Sequence, residues 1–131
     1  MRIRRAVLDA IVAHAVADAP LECCGLLIGA GDEVTESHAA RNREESAVVY
    51  RVDPADHFKA IRDARARGLA VLGAYHSHPK SPAQPSATDI REANDADFVH
   101  IIVSLAGAEP QVAAFRIQDG RAMQLALAVD P

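Results

Sequence analysis

The sequence predicts an α/β (α+β) domain, a mostly buried mixed sheet flanked by two main helices and one short helix. Three observations carry that expectation. Cys24-Gly25-Leu26-Leu27-Ile28-Gly29 and the run from Phe98 to Ser104 are short, nearly continuous apolar segments, the pattern of strands covered on both faces. Leu8, Ile11, Val12, Ala15 and Ala19 recur at helical spacing, which marks an amphipathic helix. Asp53-Pro54 is a helix start, with the aspartate as cap and the proline where its missing N–H costs nothing. At 131 residues, one compact domain spanning 1–131 is expected.

Taken in order, Arg2, Arg4 and Arg5 precede an alanine-rich stretch that superficially resembles a secretory signal, but Asp9 and His14 interrupt its apolar segment. A first helix is the better reading, and no stretch approaches the length of a membrane span. Pro20 breaks the helix, and strands are expected at Cys24–Gly29, around Glu33 to Ala40, and at Ala47 to Val52. The helix opened by Asp53-Pro54 should end at Gly68. Arg62, Arg65 and Arg67 in its last turns complement the helix dipole. Leu69 to His78 has the content of a strand, and Ser86-Ala87-Thr88-Asp89 opens a short helix. Phe98 to Ser104, Gln111 to Ile117 and Met123 to Val129 complete the sheet, with Asp119-Gly120 as a hairpin turn.

The charge balance, 14 Lys+Arg against 18 Asp+Glu for a net −4, argues against a nucleic-acid binder held by phosphate neutralisation. Cys23 and Cys24 are sequence neighbours and cannot form an ordinary structural disulfide, which favours a reducing, cytoplasmic setting. With no cationic neighbour evident, they read as small buried apolar residues. A thiol redox protein built on them would leave the histidines unexplained.

Chemistry concentrates at His76-Ser77-His78-Pro79. Residues two apart on a strand point to one side, so both imidazoles can reach one point. Pro79, Pro82 and Pro85 stiffen the loop that follows, and Asp89 returns within reach of the pair. Two histidines and one carboxylate leave a fourth position for water, the donor set of a catalytic zinc site. Hydrolysis also needs a base, for which Glu22 is the best candidate, although other carboxylates are available. The alternatives are strand-end histidines facing solvent, a capping box in which Asp89 serves backbone N–H groups in place of a metal, and a surface Glu22. His14, His38, His57 and His100 lack partner spacing, and His100 reads as a satisfied core residue.

Glu22 with Cys24-Gly25, then His76-x-His78-Pro79, six residues, and Ser86-x-x-Asp89 resembles the signature of the JAMM (MPN-plus) zinc metallopeptidases, and in detail their compact prokaryotic branch. Pro20 to Gly29, Asp53-Pro54, Gly73-x-Tyr75 and Pro85-Ser86 extend the likeness over nearly the whole chain. The resemblance implies a single JAMM/MPN-like domain with one zinc per chain on His76, His78 and Asp89. Glu22 would take a proton from the activated water and pass it to the leaving amine, and Ser86 would hydrogen-bond the oxyanion. It further implies a peptide or isopeptide substrate at the C-terminal tail of a ubiquitin-like or sulfur-carrier protein, with no nucleic acid and no membrane, and a sheet edge beside the site to receive the tail. Ala74 departs from the bulkier residue the family often carries there. A non-catalytic scaffold of the same fold is the competing reading, and it would lack the ligands.

Overall fold

The computed structural model describes residues 1–42, 44 and 52–131. Among them the chain runs β1 (Arg2–Arg4), α1 (Arg5–Asp18), β2 (Cys24–Ala30), β3 (Glu33–Ala40), α2 (Pro54–Ala66), β4 (Ala70–His78), α3 (Ala87–Glu92), β5 (Val99–Ser104), β6 (Gln111–Gln118), β7 (Arg121–Leu125) and β8 (Ala128–Asp130). The strands form one mixed sheet in the order β7-β6-β5-β4-β2-β3-β1-β8. Three helices, one of them short, accompany it, as expected. The strand expected at Ala47 to Val52 lies outside the described residues except for Val52, which forms an isolated bridge with Asn42.

The sheet is strongly curled, and chain connectivity shows why. Laid flat, β7 and β8 would stand seven strand spacings apart, roughly 34 Å. Yet Leu125 and Ala128 are joined by only two intervening residues, a reach of at most about 11 Å. The edges therefore curve toward each other, and α1 lies against the inner face, packed on β3, β4, β5 and β8. This corrects the single strand expected at Met123 to Val129. The chain turns a corner after Leu125, so that β8 can pair in parallel with β1 on the opposite edge. The three-residue β1, which only Ile3 anchors in the core, has too little pattern to be seen in the sequence.

Alternation along the central strands divides two cores. Cys23, Leu27, Tyr75, Val99, Ile101 and Val103 pack with Ile3, Val7, Ile11 and Ala15 under α1. Leu26, Ile28 and Ala74 meet Ala60 and Ala64 of α2 on the other face. Coverage on both sides explains the continuous apolar runs. The buried stripe of α1 is Val7, Ile11 and Ala15, with Leu8 and Val12 at its margin. Ala19, expected on that stripe, is instead the exposed C-cap, because the chain leaves the helix there.

Asp53 caps α2 through the Ala55 N–H, with Pro54 in the first turn. Beyond Ala66, Arg67 is the C-cap and Gly68 takes a positive φ of 72°, the conformation glycine adopts most readily. Arg67 pairs with Glu36 of β3 through both terminal guanidinium nitrogens, so that arginine ties helix to sheet. Asp119 and Gly120 both have positive φ, the hairpin turn the sequence predicted. At Gly73 a Cβ would lie 1.9 Å from the Val99 carbonyl oxygen, so only glycine admits β5 this close beside the strand that carries the histidines.

Candidate metal centre and active site

β4 pairs with β2 on one side and β5 on the other, so the histidine strand is central, and the sheet edges are β7 and β8. Among the described residues, neither of these outermost strands is the sheet edge expected beside the site. Closing the sheet around α1 places the edges at its far margins.

His76 and His78 project to the same face of β4, as their spacing requires, and both are buried. Their Nε2 atoms are 3.1 Å apart. Asp89 Oδ2, arriving from α3, is 3.1 Å from His76 Nε2 and 3.2 Å from His78 Nε2. Tetrahedral zinc, with bonds of about 2.0–2.1 Å, sets its ligand atoms about 3.3 Å apart, so the triad fits that ion. The proton inventory points the same way. His78 Nδ1 lies 2.8 Å from the Pro82 carbonyl, which can only accept, so Nδ1 carries the hydrogen and a neutral His78 presents a lone pair at Nε2. A lone pair facing a carboxylate oxygen and a second imidazole nitrogen calls for a cation, or an extra proton, between them.

The titration behaviour fits this crowding. Burial pulls His76 below its ordinary value. His78 is also opposed by burial, but hydrogen bonding to Asp89 and to the Pro82 carbonyl raises it on balance. Asp89 is held well below the usual carboxylate range, since its hydrogen bonds to both histidines and to the Ser86 N–H outweigh burial.

α3 exists in order to deliver Asp89. Ser86 caps it, its Oγ accepting the Asp89 N–H at 3.0 Å, while Asp89 Oδ2 accepts the Ser86 N–H at 2.8 Å, a reciprocal capping box. Capping and facing the histidines, weighed as alternatives in the sequence, occur together on one oxygen. The proline-bearing loop is held by Pro82 on His78 and by the Ser104 hydroxyl donating to the Ser81 carbonyl at 2.6 Å.

Glu22 reaches the site through sheet register. Cys24 pairs with His76, so continuing the antiparallel ladder by two places Glu22 opposite His78 on the same face. It is only 4 % exposed, and one of its carboxylate oxygens lies within 4.8 Å of nitrogens from both histidines. Desolvation is the main reason its pKa rises to about 7, with His78 lowering it and Asp89 raising it. Glu22, His76, His78, Ser86 and Asp89 thus converge at one end of β4.

Two residues not singled out in the sequence support this end. Ser77, buried between the histidines, accepts the Cys23 N–H on its Oγ at 2.8 Å and donates its own N–H to the Cys23 carbonyl at 3.2 Å. Asn42 donates its side-chain amide to the Glu22 carbonyl at 3.0 Å. The position of Ser77 between two same-face histidines was a signal for the first; nothing short of strand register reveals the second.

Cys23 and Cys24 are fully buried, and desolvation pushes their thiols up to about 11 and about 12. Thiols so buried and so raised are poor nucleophiles near neutral pH, which argues against the redox reading. Ala74 is buried beneath α2, where its small side chain lets Ala60 and Ala64 approach the sheet. Elsewhere, His14 Nδ1 meets the buried Tyr75 hydroxyl at 2.7 Å. His100 is buried as expected, but among the described residues its Nε2 has no hydrogen-bond partner, unlike the satisfied residue predicted.

Comparison with known proteins accords with this geometry. The chain is 35% identical over 121 residues to the CysO-cysteine peptidase of Mycobacterium tuberculosis (strain ATCC 25618 / H37Rv), covering 90% of this chain and 83% of that protein. It is 37% identical over 103 residues to the desampylase of Haloferax volcanii, covering 73% of this chain and 74% of the relative. The solution structure of a Desulfitobacterium hafniense protein superposes with a TM-score of 0.88 at 32% identity, over 99% of this chain and 93% of that one. The family described as prokaryotic homologs of the JAB domain matches residues 4–118, and on that span the chain belongs to this family, the compact prokaryotic JAMM/MPN peptidases.

Proposed function

We propose that this peptidase is zinc-dependent, with one ion held by His76, His78 and Asp89, and that it hydrolyses the peptide or isopeptide bond at the C-terminal tail of a ubiquitin-like or sulfur-carrier protein. The observation that carries the metal is the approach of two buried histidines and the partly buried Asp89 to within 3.1–3.2 Å of one another. The substrate class rests on relatives named for a CysO-cysteine conjugate and for desampylation. Among the described residues no helix is long and apolar enough to cross a membrane. A scaffold reading would leave this donor cluster without a purpose.

When bound, zinc supplies a Lewis acid that polarises the scissile carbonyl and brings the pKa of a water to around 7. Glu22 takes one proton from water as its oxygen joins the carbonyl carbon. The C–N bond then breaks, Glu22 returns that proton to the departing amine, and the second water proton leaves the new carboxyl group for the amine or for solvent, giving a carboxylate and an amine that is protonated at neutral pH. No side chain forms a covalent bond to substrate. Among the described residues the Ser86 Oγ is engaged as an acceptor, by the Asp89 N–H, so its hydroxyl hydrogen is available to stabilise the oxyanion.

Ser86→Gly separates that role from capping, because glycine at an N-cap costs only about a few tenths of a kcal/mol. Its kcat is expected to fall about 10²–10³-fold at nearly parental stability. A kcat close to the parent's would assign the oxyanion contact to another group.

The whole reading is tested with protein purified without added metal, beside the His76→Ala/His78→Ala double variant. Zinc is measured per chain, and a ubiquitin-like sulfur-carrier protein extended beyond its C-terminal Gly-Gly by cysteine or a lysine isopeptide is followed by intact-mass spectrometry. Near one zinc per chain in the parent, almost none in the variant, and loss of the added group only with the parent is the expected result. A parent that takes up no zinc on reconstitution at neutral pH would refute it.

A further inference from the structure

We propose that Asn42 is a positioning residue for Glu22, its side-chain amide standing in for the missing rung between β2 and β3 and so fixing the main chain that carries the base. The inference rests on the assignment of Glu22 as general base.

Two registers meet at Glu22. In the β2–β4 ladder Cys24 faces His76, and in the β2–β3 ladder Cys24 faces Ala40. Stepping back two residues sets Glu22 between His78 on one side and Asn42 on the other. On the β4 side the pairing continues past the end of β2, through the two bonds between Cys23 and Ser77. On the β3 side it stops at Ala40. Arg41 turns away, its N–H donating to Asp56 Oδ2 at 3.0 Å and its carbonyl accepting the Asp53 N–H at 3.1 Å, and both bonds lead to the start of α2. In the β2–β3 register the residue opposite Glu22 is Asn42, two places beyond the last pair.

The Asn42 amide takes that place, Nδ2 donating to the Glu22 carbonyl at 3.0 Å. The amide can face only one way. Its Oδ1 accepts the Glu44 N–H at 3.1 Å, and turning it over would set oxygen against the Glu22 carbonyl and NH2 against the Glu44 N–H. The Asn42 backbone is itself anchored by its bridge to Val52. With Ser77 on one side and Asn42 on the other, the Glu22–Cys23 segment is clamped where a free strand end would fray. The bond from Asn42 goes to the Glu22 main-chain carbonyl and not to its carboxylate, so through it Asn42 acts on the placement of Glu22. Placement matters steeply, since a misplacement of about 1 Å can cost on the order of 10²-fold in rate.

The test uses Asn42→Ala and Asn42→Asp in the full chain, with Glu22→Gln alongside, on the Gly-Gly-extended carrier substrate. Asn42→Asp has the same shape and keeps an acceptor for the Glu44 N–H but has no donor for the Glu22 carbonyl. Both Asn42 variants are expected to lose at least about tenfold in kcat, with KM within about twofold of the parent and zinc content unchanged. A parental kcat in Asn42→Asp overturns the proposal. So does a loss that comes with a matching fall in zinc or rise in KM, because the damage is then not confined to the base. If Glu22→Gln itself keeps the parental kcat, the base assignment fails and takes this proposal with it. If Glu22→Gln is inactive while the Asn42 variants are normal, only the positioning role fails.

Discussion

Glu22→Gln is expected to lose hydrolysis by about 10²–10⁴-fold while keeping zinc at the parental level, and to make the metal-free protein more stable at alkaline pH. Both effects follow from one feature. Glu22 is 4 % exposed, and desolvation raises its pKa from 4.5 to about 7. An acid whose folded pKa lies above its unfolded value holds its proton longer in the folded state, so stability falls as pH rises between those values. It makes no difference below about pH 4.5 and bears its full cost above about pH 7. Glutamine keeps the shape and drops the charge, so above pH 7 the metal-free variant should gain about 2–3 kcal/mol. That gain should vanish near pH 4. With Glu22 as a base that works ionised, activity is expected to decline on the acid side, and a dication on the neighbouring histidines would draw that limb below 7. Paired melts at pH 4 and pH 8, with metal analysis and a rate measurement, check all three. Zinc loss in the variant would make Glu22 a ligand, and a parental rate would remove it as base. A buried carboxylate that weakens the metal-free fold in a cluster with two histidines is a candidate for chemistry.

Most of this was legible because the relevant physics is local. The strand bearing His76 and His78 follows from composition, and their common face from the two-residue period. Asp53-Pro54, Gly68 and Asp119-Gly120 announce the ends of α2 and the β6–β7 turn. What escaped is set by long-range pairing. β1 has a single core residue and exists because β3 and β8 flank it. The split between β7 and β8, and the central position of β4, both follow from the curl of the sheet. Among the site residues, Glu22 could be nominated but not placed. The register Cys24 to His76 brings it opposite His78, and two strands meeting out of sequence order leave no periodic trace in either. Asn42 is invisible for the same reason, since its role depends on where β3 stops.

Asp89→Asn carries the other large effect, because it separates the two duties of one oxygen. Oδ2 accepts the Ser86 N–H and also faces both histidines. An asparagine Oδ1 can accept the same N–H, so α3 should keep its cap. That same neutral amide oxygen would then face the two Nε2 atoms, a weak ligand without the negative charge a cation needs. Zinc affinity is expected to fall by more than about 100-fold, a ligand counting for more than the groups that merely orient one, and hydrolysis should fall with it. Metal-free stability discriminates further. Asp89 has a lowered pKa, so its pairing contributes above about pH 4 and is lost in acid; His78 has a raised pKa, so its share is present below about pH 6.5 and fades as pH climbs through the folded value. The parent's advantage over the variant should therefore be widest between about pH 4 and 6.5 and shrink by pH 8. Undiminished zinc in Asp89→Asn would reduce Asp89 to a helix cap, and the third ligand would then have to be Glu22, the other carboxylate within reach of both histidine nitrogens. That outcome would leave the site without its base, so the two substitutions test the same division of labour from opposite ends.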